Sequence, residues 1–114
     1  MASRDPARDP RQERDRRILD VIRSLRDGEV VTYGDIAADA GYPGLSRLVG
    51  RLLANGDEDE SDELPWWRVV NSVGRLVPGH EAEQAEQLRR ESVEVNGGKV
   101  RRAPIGRFSS RRRL

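Results

Sequence analysis

The sequence predicts a mainly α-helical domain with a small β-hairpin. Three observations carry this expectation. Apolar residues recur at helical spacing in separate stretches closed by Gly28, Gly41 and Asn55-Gly56. Short apolar runs flank a cluster of turn residues between Trp67 and Val77. Only 35% of the 114 residues are apolar and 36% are charged, which bounds the core to a small one with long polar margins. A chain of this length reads as one domain.

Residues 1–12 are rich in Arg, Asp and Pro, lack periodicity, and are expected to be disordered. From about Glu13 the pattern changes. Ile18, Leu19, Val21, Ile22 and Leu25 share one face of an amphipathic helix that ends near Asp27-Gly28. Glu29-Val30-Val31 is short and extended. Thr32 then offers an N-cap, with Asp35 three residues on as in a capping box. The helix Tyr33 to Ala40 buries Ile36, Ala37 and Ala40. A second helix follows the Tyr42-Pro43 turn, from about Gly44 to Ala54, with Pro43 suited to its start. Its core stripe is Leu45, Leu48 or Val49, and Leu52, and its other face presents Arg47 and Arg51. Two short helices joined by a Gly-containing turn spell helix-turn-helix. The bland alternative is an αα-hairpin with solvated arginines.

Gly56 to Glu63 is an acidic loop. Trp67–Val70 and Arg75–Val77 read as two strands joined by Asn71-Ser72-Val73-Gly74, a β-hairpin wing. The whole is therefore expected to be a winged helix-turn-helix. Glu81 to Glu91 is a polar helix anchored by Ala82, Ala85 and Leu88, and Asn96-Gly97-Gly98 turns a second, terminal hairpin. Domain boundaries are placed at 13–102, with 103–114 a flexible basic tail.

The net charge of +1 conceals segregation. Asp57 to Glu63 is an acidic run, and Lys99 to Arg113 carries basic residues without an acid. That asymmetry points to a polyanion partner, against the plainer reading of solvated segments. The absence of cysteine excludes disulfides, cysteine-based zinc sites and a thiol nucleophile. One histidine and scattered carboxylates give no metal-ligand spacing, and no cofactor or catalytic residue is expected. No apolar run reaches the length of a membrane helix, so a cytoplasmic location is expected, at the nucleoid in a bacterium.

Both tryptophans lie in Leu64-Pro65-Trp66-Trp67-Arg68-Val69-Val70. Each is either a core anchor or the wall of a pocket, because a large ring is costly to expose and its N–H needs a partner. Here the residues resemble a known family. Val31-Thr32-Tyr33-Gly34-Asp35-Ile36-Ala37 is similar to the V-x-T-Y-G-x-I-A block of the O6-alkylguanine-DNA alkyltransferases. Pro43, Arg47, Val49-Gly50 and Asn55 match the helix that follows it. Pro65, Arg68-Val69-Val70, Gly74, Glu83-Gln84, Leu88, Glu91 and Val93 keep the family order. The alkyltransferases carry Pro-Cys-His-Arg, whose Cys accepts the alkyl group. Here Trp66 replaces that Cys, as in the alkyltransferase-like proteins, and Trp67 stands where both groups have His.

The resemblance implies a non-enzymatic protein that binds double-stranded DNA as a monomer, flips out O6-alkylguanine and signals nucleotide excision repair proteins. An indole is a donor only and cannot attack an alkyl carbon as a thiolate does. By resemblance, Thr32, Tyr33, Ser46, Arg47, Gly50 and Arg51 face DNA. Tyr33 helps rotate the nucleotide, and Arg47 fills the gap left by the flipped base. A lesion pocket would comprise Tyr33, Trp66, Trp67, Arg68, Val77 and Pro78. Trp66 is assigned to its wall and Trp67 to packing inward, with the reverse left open, and Arg68 is expected to hold wing and loop together. Leu45 and Leu48 are bulkier than the family's small residues, which would limit insertion into the minor groove. The family's lid arginine has no counterpart near Gly79. The alternative is a winged-helix transcriptional regulator, or a general DNA-binding protein without lesion preference.

Overall fold

A computed structural model describes residues 9–55 and 64–109. Its elements are helix α1 (Pro10–Arg23), strand β1 (Glu29–Thr32), helices α2 (Tyr33–Asp39) and α3 (Ser46–Asn55), a single 3-10 turn (Trp66–Arg68), strand β2 (Val69–Val70), helix α4 (Glu81–Arg90), and strands β3 (Glu94–Asn96), β4 (Lys99–Arg102) and β5 (Ile105–Gly106). The acidic run at 57–63 lies outside the described residues.

A three-stranded parallel sheet divides the core. β1 lies between β2 and β5, with Val31 opposite Val69, Thr32 opposite Val70, and Val30 opposite Gly106. Successive strand residues point to opposite faces. Val31 and Val69 accordingly join Ile18, Ile22, Ile36, Ala37, Leu48 and Val49 in the cluster under α1, α2 and α3. Val30 and Val70 join Leu76, Leu88, Val95 and Val100 in the cluster under α4 and the β3–β4 hairpin. This two-sided burial explains why β1 and β2 each carry an unbroken valine pair.

The helix-turn-helix forms where expected. Thr32 Oγ1 accepts from the Asp35 N–H at 3.0 Å, and Asp35 Oδ2 accepts from the Thr32 N–H at 3.0 Å, completing the capping box. α3 starts at Ser46 and not near Gly44, because Gly44 sits at φ +95°, outside the helical region. Both Leu48 and Val49 are buried.

Three expectations require correction. α1 begins at Pro10, inside the segment expected to be disordered, because Asp9 caps it and accepts from the Arg11 N–H at 2.9 Å while Pro10 supplies a preset φ. Trp67–Val70 and Arg75–Val77 do not pair as a hairpin. Trp66, Trp67 and Arg68 form the 3-10 turn, and Val69-Val70 finds β1 as a parallel partner. Asn71 still makes a side-chain turn, its Oδ1 accepting from Val73 and Arg75 N–H. The wing is built instead from Gly74–Leu76 against the 98–100 segment, through Leu76 N–H to Gly98 O at 2.9 Å and Val100 N–H to Gly74 O at 2.8 Å. The β3–β4 hairpin itself forms where expected.

The third correction concerns the tail. Residues 103–109 are docked as a strap. Ile105 donates to Gly28 O at 3.1 Å, Ala103 is buried, and Phe108 packs on the α4-side cluster. Arg107 Nε donates to Asp35 Oδ2 at 3.0 Å. A Cβ at Gly106 would stand 2.4 Å from Val30 O, so only glycine allows this strand to lie against β1.

Candidate nucleic-acid interface

α2, α3, the 3-10 turn, the loop before α4 and the first turn of α4 border an open cavity of about 350 Å³, lined by Tyr33, Gly50, Leu53, Ala54, Trp66, Val77, His80 and Glu83. That volume lies at the lower end of ligand pockets. Tyr33 is the first residue of α2 and its ring faces Gly50. Burial pushes the Tyr33 phenol up, so its O–H stays on near neutral pH and remains a donor. Trp66 forms one wall. Its ring meets Trp67 edge-to-face at 6.3 Å and His80 at 6.0 Å. The His80 Nδ1 lies 3.6 Å from Glu83 Oε1 at the cavity rim.

Trp67 turns away from the cavity and packs on the α4-side cluster. Its Nε1–H donates to Glu91 Oε2 at 2.8 Å, and the Arg68 guanidinium lies 5.2 Å over its ring. Glu91 is the hub of this corner, with its side chain 8% exposed. It accepts from Arg68 Nε at 2.9 Å, Arg68 Nη2 at 2.7 Å and the Gly28 N–H at 2.9 Å. Burial pushes the Glu91 carboxyl up, but Arg68, Gly28 and Trp67 together outweigh it and hold the group below its usual range. Arg68 also donates to Leu25 O and Asp27, which joins the 3-10 turn to the loop after α1.

Of the residues singled out in the sequence, Tyr33, Gly50, Trp66 and Val77 meet in the cavity. Ser46, Arg47 and Arg51 lie exposed on α3. Thr32 is buried as the cap of α2. Pro78 is exposed beside Val77 and is not among the lining residues. Trp67 and Arg68 support the cavity from behind. Leu48 is turned into the core, so its bulk does not project from the outer face of α3.

Sequence reasoning missed Leu53, Ala54, His80 and Glu83 as lining residues. Helical spacing from Gly50 leads to Leu53 and Ala54, and spacing from His80 leads to Glu83. It also missed Gln84, which is fully buried. Gln84 Oε1 accepts from the Val77 N–H at 2.7 Å, and Nε2 donates to Trp67 O at 3.1 Å and Val69 O at 3.2 Å. This amide fixes two walls of the cavity against each other. Its signal was its place one turn before Leu88. Among the described residues no His, Cys, Asp and Glu cluster could hold a metal ion, and no helix is long and apolar enough to cross a membrane.

The fold and the exposed second helix define a DNA-binding domain of the winged helix-turn-helix class. Residues 13–93 match the DNA-binding domain of 6-O-methylguanine DNA methyltransferase. The chain is 43% identical over 81 residues to a DNA base-flipping protein of Vibrio parahaemolyticus, covering 69% of this chain and 79% of that one. It is 37% identical over 83 residues to the DNA base-flipping protein of Escherichia coli, covering 71% of this chain and 63% of that one. The crystal structure of S. pombe Atl1 with damaged DNA containing O6-carboxymethylguanine is similar at TM-score 0.66 and 30% identity, over 75% of this chain and 81% of that one. The chain belongs to the O6-alkylguanine-DNA alkyltransferase family, in its alkyltransferase-like branch.

Proposed function

We propose that the protein is a non-enzymatic sensor of O6-alkylguanine in double-stranded DNA. It binds as a monomer, flips the damaged nucleotide into the cavity and presents the complex to nucleotide excision repair proteins. The observation that carries this reading is the Trp66 wall of the cavity in a chain without cysteine. A flipped base needs a flat apolar wall and a few polar groups at its edge. Trp66 supplies the wall, and the Tyr33 hydroxyl and the His80–Glu83 pair supply polar atoms. Arg47, exposed on α3, fills the space vacated in the duplex and stacks on the orphaned partner base. Ser46, Gly50 and Arg51 complete the DNA-facing set, with Val77 and Pro78 at the pocket edge. The sulfur that would take the alkyl group in the transferases is missing, and the Trp67 indole is committed to Glu91. The DNA complex of S. pombe Atl1 supports the lesion class. The family resemblance supplies nucleotide excision repair as the destination.

The test is a comparison at one fixed salt concentration, because salt alone shifts affinity by orders of magnitude. A duplex with one O6-methylguanine should bind more tightly than its unmodified twin, and Arg47→Ala should reduce that ratio. Equal affinity for both duplexes would instead fit a general DNA-binding protein.

A further inference from the structure

The chain continues past Val93, where the family domain ends, into β3, β4 and β5, and this extension carries an unexplained charge arrangement. Arg75 and Lys99 lie directly opposite each other in an antiparallel bridge. Like charges directly opposite across strands destabilise the pairing. Among the described residues neither side chain meets a carboxylate, whereas Arg102 pairs with Glu94 at 3.5 Å and Arg107 with Asp35. Arg101 follows where the β3–β4 register shifts, and it donates to Asn96 O at 3.2 Å. The opposite face of this small sheet is the buried one, holding Leu76, Val95 and Val100. Arg75 and Lys99 thus share an outer face and repel each other.

The position of this face suits one partner. β1, β2 and β5 are parallel, so the chain leaves all three strands at the same end of the sheet. There β1 delivers Tyr33 to the cavity, β2 delivers the 71–75 turn, and β5 delivers Arg107 and Phe108. Phe108 closes against Gly74, where an added Cβ would stand 3.1 Å from its ring. The cationic face and the cavity therefore belong to the same end of the molecule.

We propose that Arg75 and Lys99 form a second DNA-contacting surface, which grips the phosphate backbone flanking the flipped nucleotide. A polyanion relieves the repulsion that the folded chain leaves standing. The inference rests on the DNA-binding part of the proposed function and not on lesion preference.

The test pairs Arg75→Gln with Lys99→Gln in the full chain. Affinity is measured across a salt series for modified and unmodified duplexes, alongside thermal unfolding without DNA. Losing two phosphate contacts should reduce the slope of log K against log salt by about 1.8 for both duplexes, leaving their affinity ratio unchanged. The unfolding midpoint should hold or rise, since only repulsion has been removed. An unchanged slope overturns the proposal. So does a lowered midpoint, which would place an acidic segment of the same chain on this face. A reduced slope in a protein whose parent shows no lesion preference would sink the sensor reading and leave this surface standing.

Discussion

Gly50 costs α3 roughly 1 kcal/mol relative to alanine. Nothing among the described residues demands it: an added Cβ would meet Tyr33 Cε1 at 3.9 Å, an ordinary contact. The residue instead opens the cavity wall and the outer face of α3 beside Arg47. Gly50→Ala should therefore raise stability by about 0.5–1 kcal/mol in denaturant unfolding while weakening binding to lesion DNA. A variant that gained stability and kept its lesion affinity would remove the functional reason for glycine here. At this scale the site was partly legible. Tyr33, Gly50 and Trp66 could be read from residue type and order. The partner of the Trp67 indole could not, because Glu91 lies far along the chain and its role depends on how α4 folds back. Gln84 escaped for a similar reason, since a buried amide looks like a surface one until the backbone groups it satisfies are in place.

The elements are tied together by one carboxylate. Glu91, at the end of α4, bonds to the 3-10 turn through Trp67 and Arg68 and to the loop before β1 through Gly28. Its folded-state pKa is lowered, so its contribution is present above the unfolded-state value and is lost as pH falls through the folded-state value. Stability should decline on acidification across the carboxylate range. Glu91→Gln should flatten that decline and cost roughly 1.5–3 kcal/mol at neutral pH, as expected when hydrogen bonds to a charged group are weakened in a partly buried corner. A pH profile of unfolding free energy that stayed as steep in the variant would contradict this. Helix positions were readable because the signals are local: Thr32 with Asp35, Gly41, and the apolar spacing of α1. Strand pairing was not, because parallel partners are distant in sequence. Val69-Val70 looks the same whether it joins a hairpin or β1. The strap was hidden by its arginines, which mark it as a tail, although Ile105 and Phe108 are the anchors that dock it.

At the scale of the whole molecule, two clusters on opposite faces of one small sheet hold the helix-turn-helix, the wing and the strap in a fixed relation. The sheet delivers Tyr33 to a cavity walled by Trp66, and the rear of that wall is locked by Trp67, Arg68 and Glu91. On this account the cavity retains an alkylated guanine without altering it. The direct measurement uses duplex DNA labelled in the methyl group of a single O6-methylguanine. The label is followed through native electrophoresis and then through denaturation. It should migrate with the protein in the native complex and return wholly to the DNA once the protein is unfolded. Label left on the polypeptide, or no labelled complex under native conditions, would contradict the account.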